Sequence, residues 1–157
     1  MRMTEGVEWA LHSCLNPAWA GPGRPVTAAR LAAYHELPAP YLNKQLQALV
    51  RAGIVISTSG PRGGFRLARP LARIRLMDVV AAVEGPDEAF RCTEIRQQGP
   101  GGGAPASYRL PCAFAHAMAR AEPAWRREPA GQTLEDVREQ AQAPAARERL
   151  RRWLANG

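Results

Sequence analysis

The sequence lacks the features of several large protein classes. It has three cysteines, a single lysine and only 6% aromatic residues in 157. No apolar run reaches the roughly 20 residues that a membrane-spanning helix needs. Glu5, Glu8 and His12 interrupt the apolar stretch of a secretory signal. We therefore expect a cytoplasmic protein, in which thiols stay reduced and the cysteines form no disulfide framework.

Motifs that carry enzyme chemistry are also missing. The chain contains no Cys-x-x-Cys pair, no nucleotide-binding glycine loop and no nucleophile–base motif. We therefore predict that the protein is not an enzyme. An oxidoreductase or an iron–sulfur carrier is the alternative from another functional class.

Positive charge is what the sequence has in excess. Lysine and arginine number 21 against 14 acidic residues, which gives a formal net charge of +7 and a pI near 10.3. This balance favours a polyanionic partner such as nucleic acid. Lys44 is the only lysine, and the dominance of arginine is consistent with a GC-rich genome.

The first third of the chain predicts three helices. We expect helices over residues 4–15 and 28–35, separated by a Pro/Gly-rich loop over 16–25, with Thr27 as the N-cap of the second. A tight break precedes a helix over residues 40–52, which ends at Gly53. Two short helices joined by a tight turn form the outline of a helix-turn-helix.

A β-hairpin is predicted directly after these helices. Residues 54–59 are rich in β-branched side chains, residues 60–64 form a glycine-rich turn and residues 65–67 return. A hairpin in this place is a wing. The fold class is therefore mainly α with a small hairpin wing, and a short helix over residues 76–83 follows it.

The rest of the chain predicts further helices. The longest covers residues 112–127, and we expect Pro123 to kink or end it because an interior proline costs roughly 3 kcal/mol. Shorter helices follow from Thr133 and over residues 145–154. We divide the chain into a DNA-binding domain over 1–85, a loop over 86–111, and a long helix with C-terminal helices over 112–157.

One face of the third helix can read DNA. Leu42, Leu46 and Leu49 form its apolar stripe, and the opposite face is polar. Such side chains can pair with base edges in the major groove or bind phosphates, and an arginine at the wing tip can enter a minor groove. The predicted DNA contacts are Tyr41, Asn43, Lys44, Gln47, Arg51 and Arg62.

Three stretches resemble a known family. The segments YLNKQLQALVRAGIV, SGPRGGFRLARP and IRLMDVVAAVEG, within residues 26–85, resemble the winged-helix iron–sulfur transcriptional regulators of the IscR/NsrR type. The resemblance implies a homodimer that pairs through the long helix after the loop. It also implies that two recognition helices meet a palindromic double-stranded operator.

The cysteine pattern departs from that of cluster-binding relatives, which usually have three closely spaced cysteines in the loop. This chain has Cys92 and Cys112 there. Glu8 and His12, four residues apart, lie on one face of the first helix. The stretches GVEWALH, CTEIRQ and PCAFAHAMA resemble the redox-sensing RsrR-type branch of the family. That resemblance implies a [2Fe–2S] cluster on these four residues, with the Glu/His pair from the opposite subunit.

Other interpretations of these residues remain open. Cys92 and Cys112 could form a thiol–disulfide switch without a cluster. His116, four residues after Cys112, could complete a zinc site. Cys14 is predicted to be a core residue. Trp9, adjacent to Glu8, could border a cluster and shift with its redox state.

Overall fold

The part of the chain that the structure describes is mainly helical, with one two-stranded hairpin. The computed structural model describes residues 3–21, 23–104, 108–141 and 144–156, without the side chain of Ala20. The gaps include residue 22 of the predicted loop 16–25 and residues 105–107 of the predicted loop 86–111. The helices are α1 Glu5–Ala20, α2 Ala28–His35, α3 Ala39–Arg51, α4 Leu76–Glu84, α5 Ala113–Gly131, α6 Leu134–Gln140 and α7 Pro144–Ala155; the strands are β1 Val55–Thr58 and β2 Gly64–Leu67.

The chain divides into two compact units. Among the described residues, the larger unit contains those up to 86 together with those from 129 onward, and the smaller unit contains those from 87 to 128. The predicted division into 1–85, 86–111 and 112–157 stays a prediction. The predicted segment 112–157 is shared between the units.

The core of the larger unit is built by the helix-turn-helix. Leu31 of α2, Leu42, Leu46 and Leu49 of α3, and Ile54 are all fully buried. Burying a leucine or isoleucine side chain contributes about 1.5–3 kcal/mol each. The predicted apolar stripe of α3 is thus confirmed.

Local signals set the ends of α2. The predicted N-cap at Thr27 is confirmed, because its hydroxyl accepts a hydrogen bond from the Arg30 backbone N–H (3.2 Å). After α2, Glu36 takes a left-handed conformation with φ 54°. This turn directs the chain into α3.

The wing is an antiparallel hairpin held against the segment before α2. Val55 pairs with Leu67 and Thr58 with Gly64. Backbone hydrogen bonds join Val26 and Phe65 in both directions, at 2.9 and 2.8 Å. Gly64 has φ 140°, and a Cβ there would lie 2.7 Å from the Val26 carbonyl. Glycine is therefore required where the wing meets this segment.

Two predicted helix ends are wrong, because both helices continue past a proline, whereas the predicted kink of α5 at Pro123 stays a prediction. Helix α1 continues through Pro17 to Ala20 instead of ending near residue 15, and Trp19 packs against the core. Pro17 removes only one backbone hydrogen bond close to the helix end, and this packing offsets the loss. Helix α5 likewise continues through Pro123.

Side-chain contacts on both sides of Pro123 hold that part of α5. Glu122 and Arg126 form an ion pair one turn apart across the proline. The Ala89 N–H donates to Glu122 (3.3 Å), and Arg126 donates to the Asp87 carbonyl (2.8 Å). These bonds tie the start of the smaller unit to α5 and keep the helix continuous.

The C-terminal helices belong to the larger unit. Helix α6 begins with a capping box, in which the Thr133 hydroxyl accepts from the Asp136 backbone N–H and the Asp136 carboxylate accepts from the Thr133 backbone N–H. Leu134 N–H donates to the Ile74 carbonyl (2.9 Å). Helix α7 contacts α1 and α2 and buries Leu150 and Leu154. The predicted C-terminal helices are confirmed.

Candidate metal centre and nucleic-acid interface

The outward face of α3 is polar and exposed. Tyr41 is 63% exposed. Asn43, Lys44 and Arg51 are exposed, and Gln47 is half-buried. The buried stripe on the other side fixes the rotation of the helix, so these five predicted DNA contacts share an accessible face. That they touch DNA stays a prediction.

Arg62 lies on the exposed turn of the wing. Gly63 allows this turn, because a Cβ there would lie 2.1 Å from the Thr58 carbonyl oxygen. The turn therefore needs glycine next to the arginine. This is the physical basis of the Gly-Pro-Arg-Gly-Gly sequence, and it leaves the Arg62 side chain accessible to a ligand.

Cys92 and Cys112 come together in the smaller unit. Their sulfur atoms and a carboxylate oxygen of Glu94 all lie within 4.8 Å of one another. Cys92 is exposed, whereas Cys112 is buried directly before the first residue of α5. Within the described ranges, this is the group of His, Cys, Asp and Glu side chains spaced to hold a metal ion.

The environment of Cys112 favours its thiolate. The pKa of the Cys112 thiol is lowered because the backbone N–H groups of Ala115 and Phe114, in the first turn of α5, bond to its sulfur. A hydrogen bond from the Cys92 side chain and the positive charge of Arg96 also lower the pKa of the Cys112 thiol, whereas burial raises it. Thiolate is the form that binds metals and attacks disulfides.

Glu94 and Arg96 were missed by the sequence analysis. Glu94 has a left-handed backbone, with φ 51° and ψ 50°, which is uncommon for a residue other than glycine. Arg96 donates two hydrogen bonds to the Glu94 carboxylate, which lowers the carboxyl pKa. The Arg96 guanidinium also lies 4.9 Å from the Tyr108 ring centroid. No sequence pattern predicts the left-handed backbone at Glu94. The only available signal is that Glu94 lies in the CTEIRQ stretch, which carries the resemblance to the RsrR-type branch.

Glu8 and His12 lie on the exposed side of α1, in the larger unit. With Trp9, His35 and Leu37 they line a cavity of about 200 Å³. The His12 and His35 rings are 6.0 Å apart, and a 2.6 Å hydrogen bond joins His35 Nε2 to Asn16 Nδ2. Burial, together with the nearby His12, lowers the pKa of His35. The structure thus groups the predicted ligands in two pairs, one in each unit.

Cys14 is confirmed as a core residue. It is fully buried, and burial raises the pKa of its thiol to about 12. His116 is not part of the Cys92–Glu94–Cys112 group among the described residues. The structure therefore places Glu94, rather than His116, beside the two sulfurs.

The two sulfurs fit a shared metal. Two thiolates that each lie about 2.3 Å from one metal ion are at most about 4.6 Å apart. The sulfurs of Cys92 and Cys112 lie within 4.8 Å of each other, so they are close to the spacing that a shared metal needs. A lowered pKa on one thiol and a guanidinium beside the pair suit an anionic thiolate centre. Cys92 and Cys112 are therefore suitable as a pair of ligands to one iron of a cluster or to zinc.

Sequence comparison assigns the family. The Rrf2 family, described as iron-dependent transcriptional regulators, matches residues 3–140. The chain belongs to the Rrf2 family. It is 37% identical to BadM of Rhodopseudomonas palustris over 84 residues, which are 54% of this chain and 53% of that protein. It is 39% identical to the HTH-type transcriptional regulator IscR of Cereibacter sphaeroides over 59 residues, 38% of each chain.

The matched relatives are regulators rather than enzymes, in agreement with the sequence prediction. The chain spans about half the length of the curated relatives it matches. The predicted membership of this chain in the winged-helix regulator family of the IscR type is thereby confirmed. The cluster ligands inferred from the RsrR-type branch stay a prediction.

Solved structures support the Rrf2 fold. IscR of T. potens has a TM-score of 0.66 and 19% identity, over 90% of this chain and 89% of that chain. The oxidised form of CymR from Staphylococcus aureus has a TM-score of 0.62 and 20% identity, over 87% and 95%. At this identity the likeness concerns the fold alone. No helix in the described part of this chain is long and apolar enough to cross a membrane.

Proposed function

We propose that this Rrf2 protein is a homodimeric DNA-binding transcriptional regulator that senses redox state through a [2Fe–2S] cluster. Cys92 and Cys112 of one protomer, with Glu8 and His12 of the partner subunit, are the proposed ligands. The observation that carries the sensing half is the convergence of the two sulfurs within 4.8 Å beside Arg96.

The DNA-binding half rests on α3 and the wing. The exposed polar face of α3 is backed by a rigid leucine stripe, and Arg62 stands at the accessible wing turn. A helix of this kind can enter a major groove about 12 Å wide while the wing meets the neighbouring minor groove. A family of named transcriptional regulators supports this use of the winged helix.

Dimerisation is supported by an exposed apolar stripe on α5. Phe114 and Met118 are one turn apart, and they are 78% and 45% exposed. A second copy of α5 is a partner of matching chemistry, because such a stripe buries itself against an equivalent one. In this proposal residues 112–157 provide the dimer helix and the C-terminal helices, residues 86–111 the cluster loop and residues 1–85 the DNA-binding domain.

The ligand set suits reversible sensing. When bound, a cluster would supply one-electron redox chemistry, and a neutral imidazole in place of a thiolate would raise its potential. Cys112 contributes a thiolate stabilised by the first turn of α5, and Arg96 offsets its negative charge. Glu8 and His12 contribute donors on an accessible face of α1.

Trp9 connects the proposed ligands to the recognition helix. Its side chain lines the small cavity beside Glu8 and His12. It also lines a groove of about 500 Å³ that is bordered by Tyr41 and Lys44 of α3. A change at Glu8 or His12 that moves Trp9 would therefore alter a groove that residues proposed to bind DNA also line.

A cluster-free thiol switch is the second candidate, favoured by the same sulfur pair. A peroxide would take two electrons from the Cys92 and Cys112 thiols, which form a disulfide while the peroxide is reduced to water. The lowered pKa of Cys112 suits the attacking thiolate. With Glu94 as a third donor, the pair also suits zinc.

The deciding experiment is a visible absorption spectrum of anaerobically purified full-length protein, before and after dithionite. We expect a coloured wild type that bleaches reversibly, an altered spectrum in His12→Ala, and a wild-type spectrum in the matched control Cys14→Ser. A protein that stays colourless after cluster reconstitution would refute the cluster. Bound zinc, or a Cys92–Cys112 disulfide after peroxide treatment, would then identify which alternative holds.

A further inference from the structure

A basic groove lies beside the wing in the larger unit. Its volume is about 500 Å³, and its walls are the segment before α2, the start of α2, the wing turn and the end of α7. Arg24, Arg30 and Arg62 line it, and its described lining has no acidic side chain. Three guanidiniums around one concave surface form a site for an anion.

The end of α7 holds two of these arginines in place. Arg30 Nη2 donates to the Trp153 carbonyl (2.7 Å), and Arg24 Nη2 donates to the Leu154 carbonyl (3.3 Å). The last carbonyls of a helix have no partner within it and carry partial negative charge. Each guanidinium has five N–H donors, so one such bond fixes it and leaves further donors for a ligand.

Helix α7 is itself firmly anchored. Leu150 and Leu154 are 0% and 3% exposed, and the Trp153 and Tyr34 rings are 6.1 Å apart. Arg151 Nε donates to the Trp19 carbonyl at the end of α1 (3.2 Å). Helix α7 lies beyond residues 3–140 that match the Rrf2 family. The family match therefore does not include the element that orients Arg24 and Arg30.

We propose that this groove binds the phosphate backbone of double-stranded DNA, with Arg24 and Arg30 as phosphate contacts and α7 as their positioning element. The inference rests on the proposed DNA-binding function. Guanidinium groups bind phosphates through paired hydrogen bonds, and such contacts set the register of a protein on DNA. DNA is the favoured phosphate source because the groove shares Arg62 with the wing turn, and the chain carries a charge of +7.

The test measures how the affinity of the full chain for duplex DNA of arbitrary sequence depends on salt. The variants are Arg24→Gln, Arg30→Gln and their combination, and the control is Arg127→Gln, which removes the same charge from an exposed position of α5. The slope of log K against log salt should become shallower by about 0.9 for each phosphate that a bound protomer no longer neutralises. The control should retain the wild-type slope.

The possible results separate this inference from the proposed function. A wild type without salt-dependent DNA binding refutes DNA binding itself. A wild type that binds, with unchanged slopes in all arginine variants, refutes only the groove. A lowered melting temperature in Arg30→Gln with an unchanged slope shows that the arginine is merely a helix cap and also overturns the inference.

Two further arms test the ligand source and the role of α7. Stabilisation of the wild type by pyrophosphate, abolished in the double variant while the DNA slope stays unchanged, would indicate a small phosphate ligand and overturn the DNA proposal. Leu154→Ala loosens the end of α7 without removing charge. It should weaken DNA binding and flatten the slope while helix content is retained, and an unchanged slope would refute positioning by α7.

Discussion

Replacing Gly64 by alanine should detach the wing from the segment before α2. Gly64 has φ 140°, and the new Cβ would lie 2.7 Å from both the carbonyl carbon and the carbonyl oxygen of Val26. Neither atom can move like a flexible side chain, because both belong to the backbone. The two Val26–Phe65 hydrogen bonds, at 2.9 and 2.8 Å, would have to lengthen or break.

The magnitude follows from two contributions. A side chain at such a φ costs about 2 kcal/mol, and breaking two backbone hydrogen bonds costs about 1 kcal/mol each. The free energy of unfolding should therefore fall by about 4 kcal/mol, which at this chain length lowers the melting temperature by about 10 °C. That is a large part of the roughly 5–15 kcal/mol that stabilises a typical domain.

Gly53→Ala is the matched control for this substitution. Gly53 also has a positive φ, 66°, but beyond the residue itself and its two chain neighbours no atom lies within 4 Å of the position of a new Cβ. The control should cost only the conformational strain, about 1–2 kcal/mol. Urea unfolding of both variants, followed by circular dichroism, measures the difference. Equal destabilisation of the two would refute the idea that a close backbone approach holds the wing.

Two further predictions concern the cap of α6 and the cysteines. Asp136→Asn should destabilise the protein at neutral pH, because hydrogen bonds from Thr133 lower the pKa of the Asp136 carboxyl in the folded state. A carboxyl whose pKa is lowered in the folded state stabilises the protein above its unfolded pKa of about 3.9, and this stabilisation is lost as the pH falls through the folded-state pKa. In acid-unfolding curves the difference in stability between Asp136→Asn and wild type should therefore shrink below about pH 4. A difference that stays constant would contradict this assignment. Iodoacetamide should label Cys14 far more slowly than Cys92 in native protein at pH 8, since burial raises the pKa of Cys14 to about 12. Mass spectrometry measures the labelling, with urea-unfolded protein as the control. Equal labelling of the two cysteines in the native protein would contradict the prediction.

The winged helix could be predicted from the sequence because its signals are local. Thr27 caps α2 by bonding three residues along the chain, and the leucines of α3 repeat at helical spacing. Gly63 and Gly64 of the wing turn stand where a Cβ would strike the backbone of the same hairpin or of Val26. In each case the residue type and its position in the sequence are enough to predict the local structure.

The rest depended on contacts between distant residues. Trp19 packs on the core and keeps α1 helical past Pro17, and Glu122 and Arg126 bind the start of the smaller unit across Pro123. The prediction that proline ends or kinks a helix considers only the local backbone, and it does not include these distant contacts. Glu94 was missed for a similar reason, because its left-handed turn brings it to two cysteines that are 20 positions apart in the sequence.

The excess of arginine over lysine has a structural consequence in this fold. Arg24, Arg30 and Arg151 each donate to a backbone carbonyl, and together these bonds join α7 to α1 and to the segment around the start of α2. A guanidinium can donate from one nitrogen to a carbonyl and keep other donors in a fixed plane, whereas an ammonium is a single point of charge. Lysine at position 24 or 30 would preserve the charge of the groove but lose this division between holding the helix and the proposed binding of a phosphate. Genome composition can explain why arginine is abundant, but the geometry at these positions explains why it is needed.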